Sequence, residues 1–224
     1  MGSSSMVIGH YAVGFAAKKL APRASLAVLI GSAIFLDILW ISFVVLGWER
    51  VRLLTDKTAF IPFEFEHYPY SHSLLTAIGW AALFALAYKK ITGYSVGATL
   101  IGVGVLSHWI LDLIVHRPDL PLYPGGNRFV GFHLWEYQSA SLIFEGSLFI
   151  LGLWIYVRQT CPLDRAGNYG FWIFILLLVG LYLGKLTGLP IGNNAALVIF
   201  GLVTWLSIPW AGWIERRRAI RKES

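Results

Sequence analysis

The sequence predicts an all-α membrane protein, a six-span helical bundle with a short, partly inserted helix at its N-terminal end. Three observations carry this. Apolar runs of spanning length recur six times along the 224 residues, and about 20 apolar residues is what a helix needs to cross a hydrocarbon core. Hydrophobic residues make up 57% of the chain and charged residues 13%, against the roughly one-quarter charged fraction of a soluble domain. Mean hydropathy is +0.65. The basic residues, finally, flank the apolar runs instead of interrupting them.

Taken in order, residues 1–5 (Met1-Gly-Ser-Ser-Ser5) read as an expression leader before Met6. Residues 6–224 read as one transmembrane domain, because no polar stretch is long enough for a second core. The apolar run 6–17 is too brief to span. Lys18 and Lys19 follow it rather than precede it, so it is no cleavable signal but a partly inserted helix that stops at Pro22. Spans are expected at 24–48, 73–88, 96–115, 141–157, 170–186 and 195–214. Two stretches lie between them, 49–70 and 117–138, rich in aromatics, proline and acids and without a regular period. Pro118, Pro121 and Pro124-Gly-Gly-Asn127 make the second an irregular loop over the bundle mouth. Gly14, Gly102 and Gly104 are expected at close helix contacts.

Charge gives the orientation. With both termini cytoplasmic, one side holds Lys18, Lys19, Arg23, Lys89, Lys90, Arg158, Arg165, Arg216, Arg217, Arg218, Arg221 and Lys222, and the other Arg50, Arg52, Lys57, Arg117, Arg128 and Lys185. Twelve against six places a multi-pass protein in a bacterial or archaeal cytoplasmic membrane with both ends inside. Trp48, Trp135, Trp210 and Trp213 suit the interfaces. The net charge of +6 does not imply nucleic acid, since the cations form no face with interleaved aromatics. Arg216 to Lys222 instead reads as an anchor near anionic lipid. The single cysteine, Cys161, excludes an internal disulfide and a CxxC metal site.

The polar residues inside the apolar runs are the chemical signal. His108-Trp-Ile-Leu-Asp112-Leu-Ile-Val-His116 repeats a potential ligand every fourth residue, one helical stripe with about 6 Å between successive positions. An Asp at mid-helix costs roughly 2.5–3.5 kcal/mol on insertion scales, so something must compensate it. Asp37 lies near the middle of the first span, His10 on the short helix, His72 at the start of the second span and Glu145 inside the fourth. Imidazoles and carboxylates without thiolates suit zinc, with manganese or iron as alternatives. The surplus of donors over the four of a single zinc points to two or three ions. Asp37 and Asp119 are catalytic candidates, Asp119 orienting a ligand or acting as general base. Blander assignments stand beside these: His10 as a cap, His67 as a solvated loop residue, His133 and Glu136 as interfacial groups beside Trp135, and Glu145 as a hydrogen-bonding partner of a neighbouring helix. The almost uncharged spans of 151–224 read as scaffold for a metal-site core in 6–150.

The elements His10-Tyr-Ala-Val-Gly14, Gly31-Ser-Ala-Ile-Phe-Leu-Asp37, His67-Tyr-Pro-Tyr-Ser-His72-Ser73 and Ser107-His108-Trp-Ile-Leu-Asp112 resemble the YdjM-like family over about residues 6–150. Its members are described as inner-membrane-associated metal-dependent hydrolases, some called LexA-binding. Where the family often has Pro-Asp-x-Asp, this chain has Leu36-Asp37-Ile38-Leu39 and keeps only the first acid. The order His10, Asp37, His72, His108, Asp112, His116 is also similar to the ligand order of zinc-dependent phospholipase C and the single-strand nucleases. That likeness implies a trinuclear zinc-type site and phosphoester hydrolysis. The closing His-x3-Glu of those enzymes is missing, since Tyr137 stands four after His133, and Glu136 or, preferably, Glu145 would substitute.

The expected function is therefore a membrane-embedded, metal-dependent hydrolase of a phosphoester, on a phospholipid or a lipid-linked phosphate that enters sideways from the bilayer. Intramembrane His and Asp also mark ion pathways, so a divalent-metal or proton transporter is the first alternative. A regulatory or interaction protein with a structural metal is the second. The sequence assigns no oligomeric state.

Overall fold

The computed structural model describes residues 8–53, 63–184 and 193–221. Residues 1–5, Met6, and the cations Lys57, Lys185 and Lys222 lie outside these residues, as does part of the aromatic-rich stretch 49–70.

The chain starts with α1 (Ile8–Leu20), which ends just before Pro22. Its central residues are buried, and α1 forms the middle of the bundle, packed on α2 (Leu26–Ala33), α6 (Ser95–Val115) and α7 (Gln138–Gln159). Small residues permit this. A Cβ on Gly14 would stand 2.7 Å from Ile30 Cα, one on Gly152 2.4 Å from the Ala12 carbonyl oxygen, and one on Gly104 2.4 Å from Ser32 Oγ. Gly102 has only ordinary contacts, so it is not a close-approach position.

The run 24–48 is not one straight helix. Ser25 caps α2 through its side chain, Ile34 leaves helical geometry (φ −105°, ψ 12°), and α3 (Phe35–Val45) continues at 64° to α2. Neither proline nor glycine occupies the break. Tertiary contacts hold it: the carbonyl of Ala33, last residue of α2, accepts a hydrogen bond from His108 on α6. After Gly47 (φ +73°) comes a feature that the aperiodic sequence of 49–70 did not indicate. Strand β1 (Arg50–Leu53) pairs antiparallel with β2 (Phe63–His67), so His67 sits on a strand. One helical turn, α4 (Pro69–His72), then leads into α5 (Leu74–Thr92), whose N-cap is Ser73 and whose C-cap is Gly93 (φ +68°).

Beyond α6 the loop folds back through β3 (Leu120–Pro121), β4 (Phe129–Val130) and a 3-10 turn at Leu134–Glu136. Helices α7, α8 (Arg165–Gly184) and α9 (Asn193–Arg216) complete the bundle. At the basic end β5 (Thr160–Pro162) pairs with β6 (Arg218–Ile220), and the Arg218 guanidinium lies 4.5 Å over the Phe171 ring. Among the described residues five helices are long and apolar enough to cross a membrane, and the bent α2–α3 pair makes six if it counts as one. The protein is an all-α membrane bundle.

Candidate metal centre

Four elements bring donors together. α1 carries His10, the first turn of α3 carries Asp37, α4 ends in His72, and α6 carries His108 and Asp112 one turn apart on its buried face. Asp112 is the hub. Its Oδ1 lies 3.2 Å from His10 Nε2, and its Oδ2 lies 3.2 Å from His108 Nε2 and 3.6 Å from His72 Nε2. Asp37 Oδ1 faces the same nitrogens, 3.7 Å from His108 and 3.9 Å from His72. The rings of His10 and His108 stack, with centroids 3.7 Å apart and planes 6° from parallel. Two overlapping donor groups result, His10–His108–Asp112 and Asp37–His72–His108, each with its donor atoms within 4.8 Å of one another.

The histidines are oriented from behind. His108 donates through Nδ1 to the Ala33 carbonyl at 2.8 Å, which leaves Nε2 as the group facing the carboxylates. His72 is held by a longer chain. Glu49 Oε1 accepts from the backbone N–H groups of Tyr70 and Ser71, both at 2.8 Å, and its Oε2 accepts from the Ser71 hydroxyl at 2.6 Å. That hydroxyl has spent its proton, so at 2.8 Å it accepts from His72 Nδ1, again leaving Nε2 turned inward. Glu49 is itself 1% exposed. Burial pushes its pKa up from the ordinary value, while the bonds from Ser71 and Tyr70 pull the other way. His116, at the end of α6, donates through Nδ1 to Asp119 Oδ1 at 2.9 Å, and Tyr68 donates to the same oxygen at 3.1 Å.

This donor set fits a divalent cation. Ligand bonds of about 2.0–2.2 Å in a tetrahedron set donor atoms about 3.4 Å apart, and the separations above bracket that value. His10 Nδ1 and His108 Nε2 are buried atoms without a hydrogen-bond partner, a costly state unless a ligand uses them. Two carboxylates buried together in a low-dielectric bundle also call for positive charge.

The remaining candidates belong to neither of the two groups. His116 packs on Trp135, centroids 4.0 Å apart, and Trp135 is buried there. Glu145 is buried on α7 with Ser141 Oγ 3.4 Å away. His67 lies edge-on to Tyr70. His133 stands 3.6 Å from Glu136, which also meets Arg117 at 3.4 Å, in a half-exposed cluster at the bundle mouth. Glu49 and Ser71 escaped sequence reasoning, the acid because it falls just beyond an apolar run and looks like an ordinary surface residue. So did Tyr11 and Ser207, whose hydroxyls meet at 2.7 Å beside His10 and tie the scaffold helix α9 to the centre.

No curated protein and no solved structure matches this chain. The model of the YdjM inner membrane protein family matches residues 1–189, and with most of its length covered the chain belongs to that family.

Proposed function

We propose that the protein is a membrane-embedded, metal-dependent hydrolase acting on a phosphoester, with a lipid or lipid-linked phosphate as substrate. The observation that supports it most is the back-anchoring of His72 and His108, whose Nδ1 atoms are engaged by oxygen acceptors while their Nε2 atoms converge on Asp37 and Asp112. Structural polar residues have no need of such convergence. His10, Asp37, His72, His108 and Asp112 would hold zinc or a similar ion; the single free nitrogen of His108 serves one ion, so a second would rest on the remaining carboxylate oxygens and imidazoles. His116 and Glu145 complete the ligand set expected from the phospholipase-type order. When bound, the metal supplies Lewis-acid stabilisation of phosphoryl oxygens and lowers the pKa of water.

The chain's own groups do the rest. Asp37 is the most open of the five donors, 18% exposed at its side chain against 5% or less for the others, so substrate approaches past it. Asp119, joined to His116 and Tyr68 but outside the donor groups, is placed to receive a proton. The orientation with both termini cytoplasmic rests on the asymmetry of Lys and Arg.

The test is purified protein in detergent, assayed for metal and for hydrolysis of a generic phosphodiester. We expect more than one equivalent of transition metal and an activity that chelator abolishes and metal restores. Less than half an equivalent after gentle purification would overturn the proposal. One feature favours the transporter reading, the 64° break of α2–α3 beside Asp37, since transporters bind ions at broken helices. Metal flux into vesicles without hydrolysis would establish that alternative.

A further inference from the structure

On the side of the bundle where α1 meets α6 and α7 there is a crevice of about 360 Å³. Ala12, Ala16 and Ala17 of α1 form its floor, and Val103 and Leu151 belong to its α6 and α7 walls. Its origin is local. Gly152 brings the α7 backbone against Ala12, while the alanines that follow on α1 are too small to fill the space that opens below. Lys19, at the basic end, is the one charged residue in an otherwise aliphatic lining.

Within a bilayer such a space is filled by hydrocarbon, because an unfilled void forfeits dispersion contacts along all its walls. From Ala12 to Leu20 the crevice follows α1 for about 12 Å, close to the roughly 15 Å depth of one leaflet's hydrocarbon. The two neighbouring lysines have different fates. Lys18 is buried, donating to the carbonyls of Pro22 and Ala24 and to Glu215. Lys19 is exposed, and among the described residues its ammonium has no protein partner. Slot and cation together match one ligand chemistry.

We propose that this crevice is a lipid site, in which an acyl chain of an anionic phospholipid lies along α1 with its headgroup phosphate paired to Lys19. The site is independent of the metal centre and of any hydrolysis there.

Native mass spectrometry of the full chain in detergent tests this with three probes: phosphatidylglycerol, phosphatidylethanolamine, and glycerophosphoglycerol, which has the headgroup without the chains. The protein is expected to retain phosphatidylglycerol over phosphatidylethanolamine by roughly fivefold, the scale of one lysine near an anionic surface, and not to retain glycerophosphoglycerol. Lys19→Gln should remove the preference while both lipids still bind. Ala16→Phe should remove both by filling the slot, and Val103→Phe, at a half-exposed position, repeats that test without loading the interior. Equal retention of the two lipids by the unaltered protein overturns the proposal. So does undiminished lipid binding in a folded Ala16→Phe or Val103→Phe variant, or binding of the chainless headgroup as strong as that of the lipid.

Discussion

His108 donates a hydrogen bond from Nδ1 to the carbonyl of Ala33, 75 residues earlier, at the point where the first long apolar run bends by 64°. One side chain thus serves the donor groups through one nitrogen and the backbone break through the other. His108→Ala should therefore act twice. Metal content should fall below half an equivalent. Even in chelated samples the variant should melt lower than the unaltered protein, because the Ala33 carbonyl loses its partner, a cost of about 1–3 kcal/mol. Equal melting of the two metal-free proteins would show that the bond does not hold the bend.

Glu49→Gln tests the chain behind His72. The Tyr70 and Ser71 N–H groups pin the side-chain carbonyl of the new residue, which turns its amide N–H₂ towards Ser71 Oγ. The hydroxyl must then donate to His72 Nδ1 rather than accept from it, and the proton moves to the nitrogen that faces the carboxylates. Metal affinity should drop about 10–100-fold with almost no change of shape. Titration of the apo protein with zinc reads this directly, and an unchanged affinity would remove the relay from the argument.

Asp119→Asn keeps an acceptor for His116 and Tyr68 but removes the basic oxygen. If Asp119 receives the proton, hydrolysis should fall by about 10²-fold or more while metal content stays the same. Loss of metal together with activity would make Asp119 only an anchor for His116.

Gly152→Ala and Gly14→Ala would each press a methyl group into a neighbouring backbone, 2.4 Å from the Ala12 carbonyl oxygen and 2.7 Å from Ile30 Cα. Each should destabilise by about 1–3 kcal/mol, visible as a lower melting temperature in detergent. Gly79→Ala, inside α5 with open space around it, is the control and should be neutral to stabilising, by up to about 1 kcal/mol.

The donors on α6 were legible because a four-residue spacing makes a stripe on any helix, and His10, Asp37 and His72 because polar groups at bilayer depth are rare. Direction was not legible. His67, His133 and Glu136 share residue types with the donors yet belong to neither donor group, and nothing local distinguishes them. The break at Ile34 was hidden for another reason. It carries no proline or glycine and depends on a partner 75 residues away. Glu49 was hidden because its burial comes from the turn at Tyr70–Ser71 folding over it. The β1–β2 hairpin has alternation only over a few residues on each side, too short to stand out among aromatics.

The clamp of Lys18 on Glu215 has a bearing on assembly. All five grouped donors are synthesised by residue 112, yet the helix that presents His10 is fastened at its far end by a carboxylate near the close of the chain, which also receives the Leu26 amide. During synthesis, then, the polar residues must enter the bilayer well before the last helix arrives to lock the first. Completion of the donor cluster becomes a late event in maturation, and a chain stalled before α9 would leave α1, with His10, untethered at its far end.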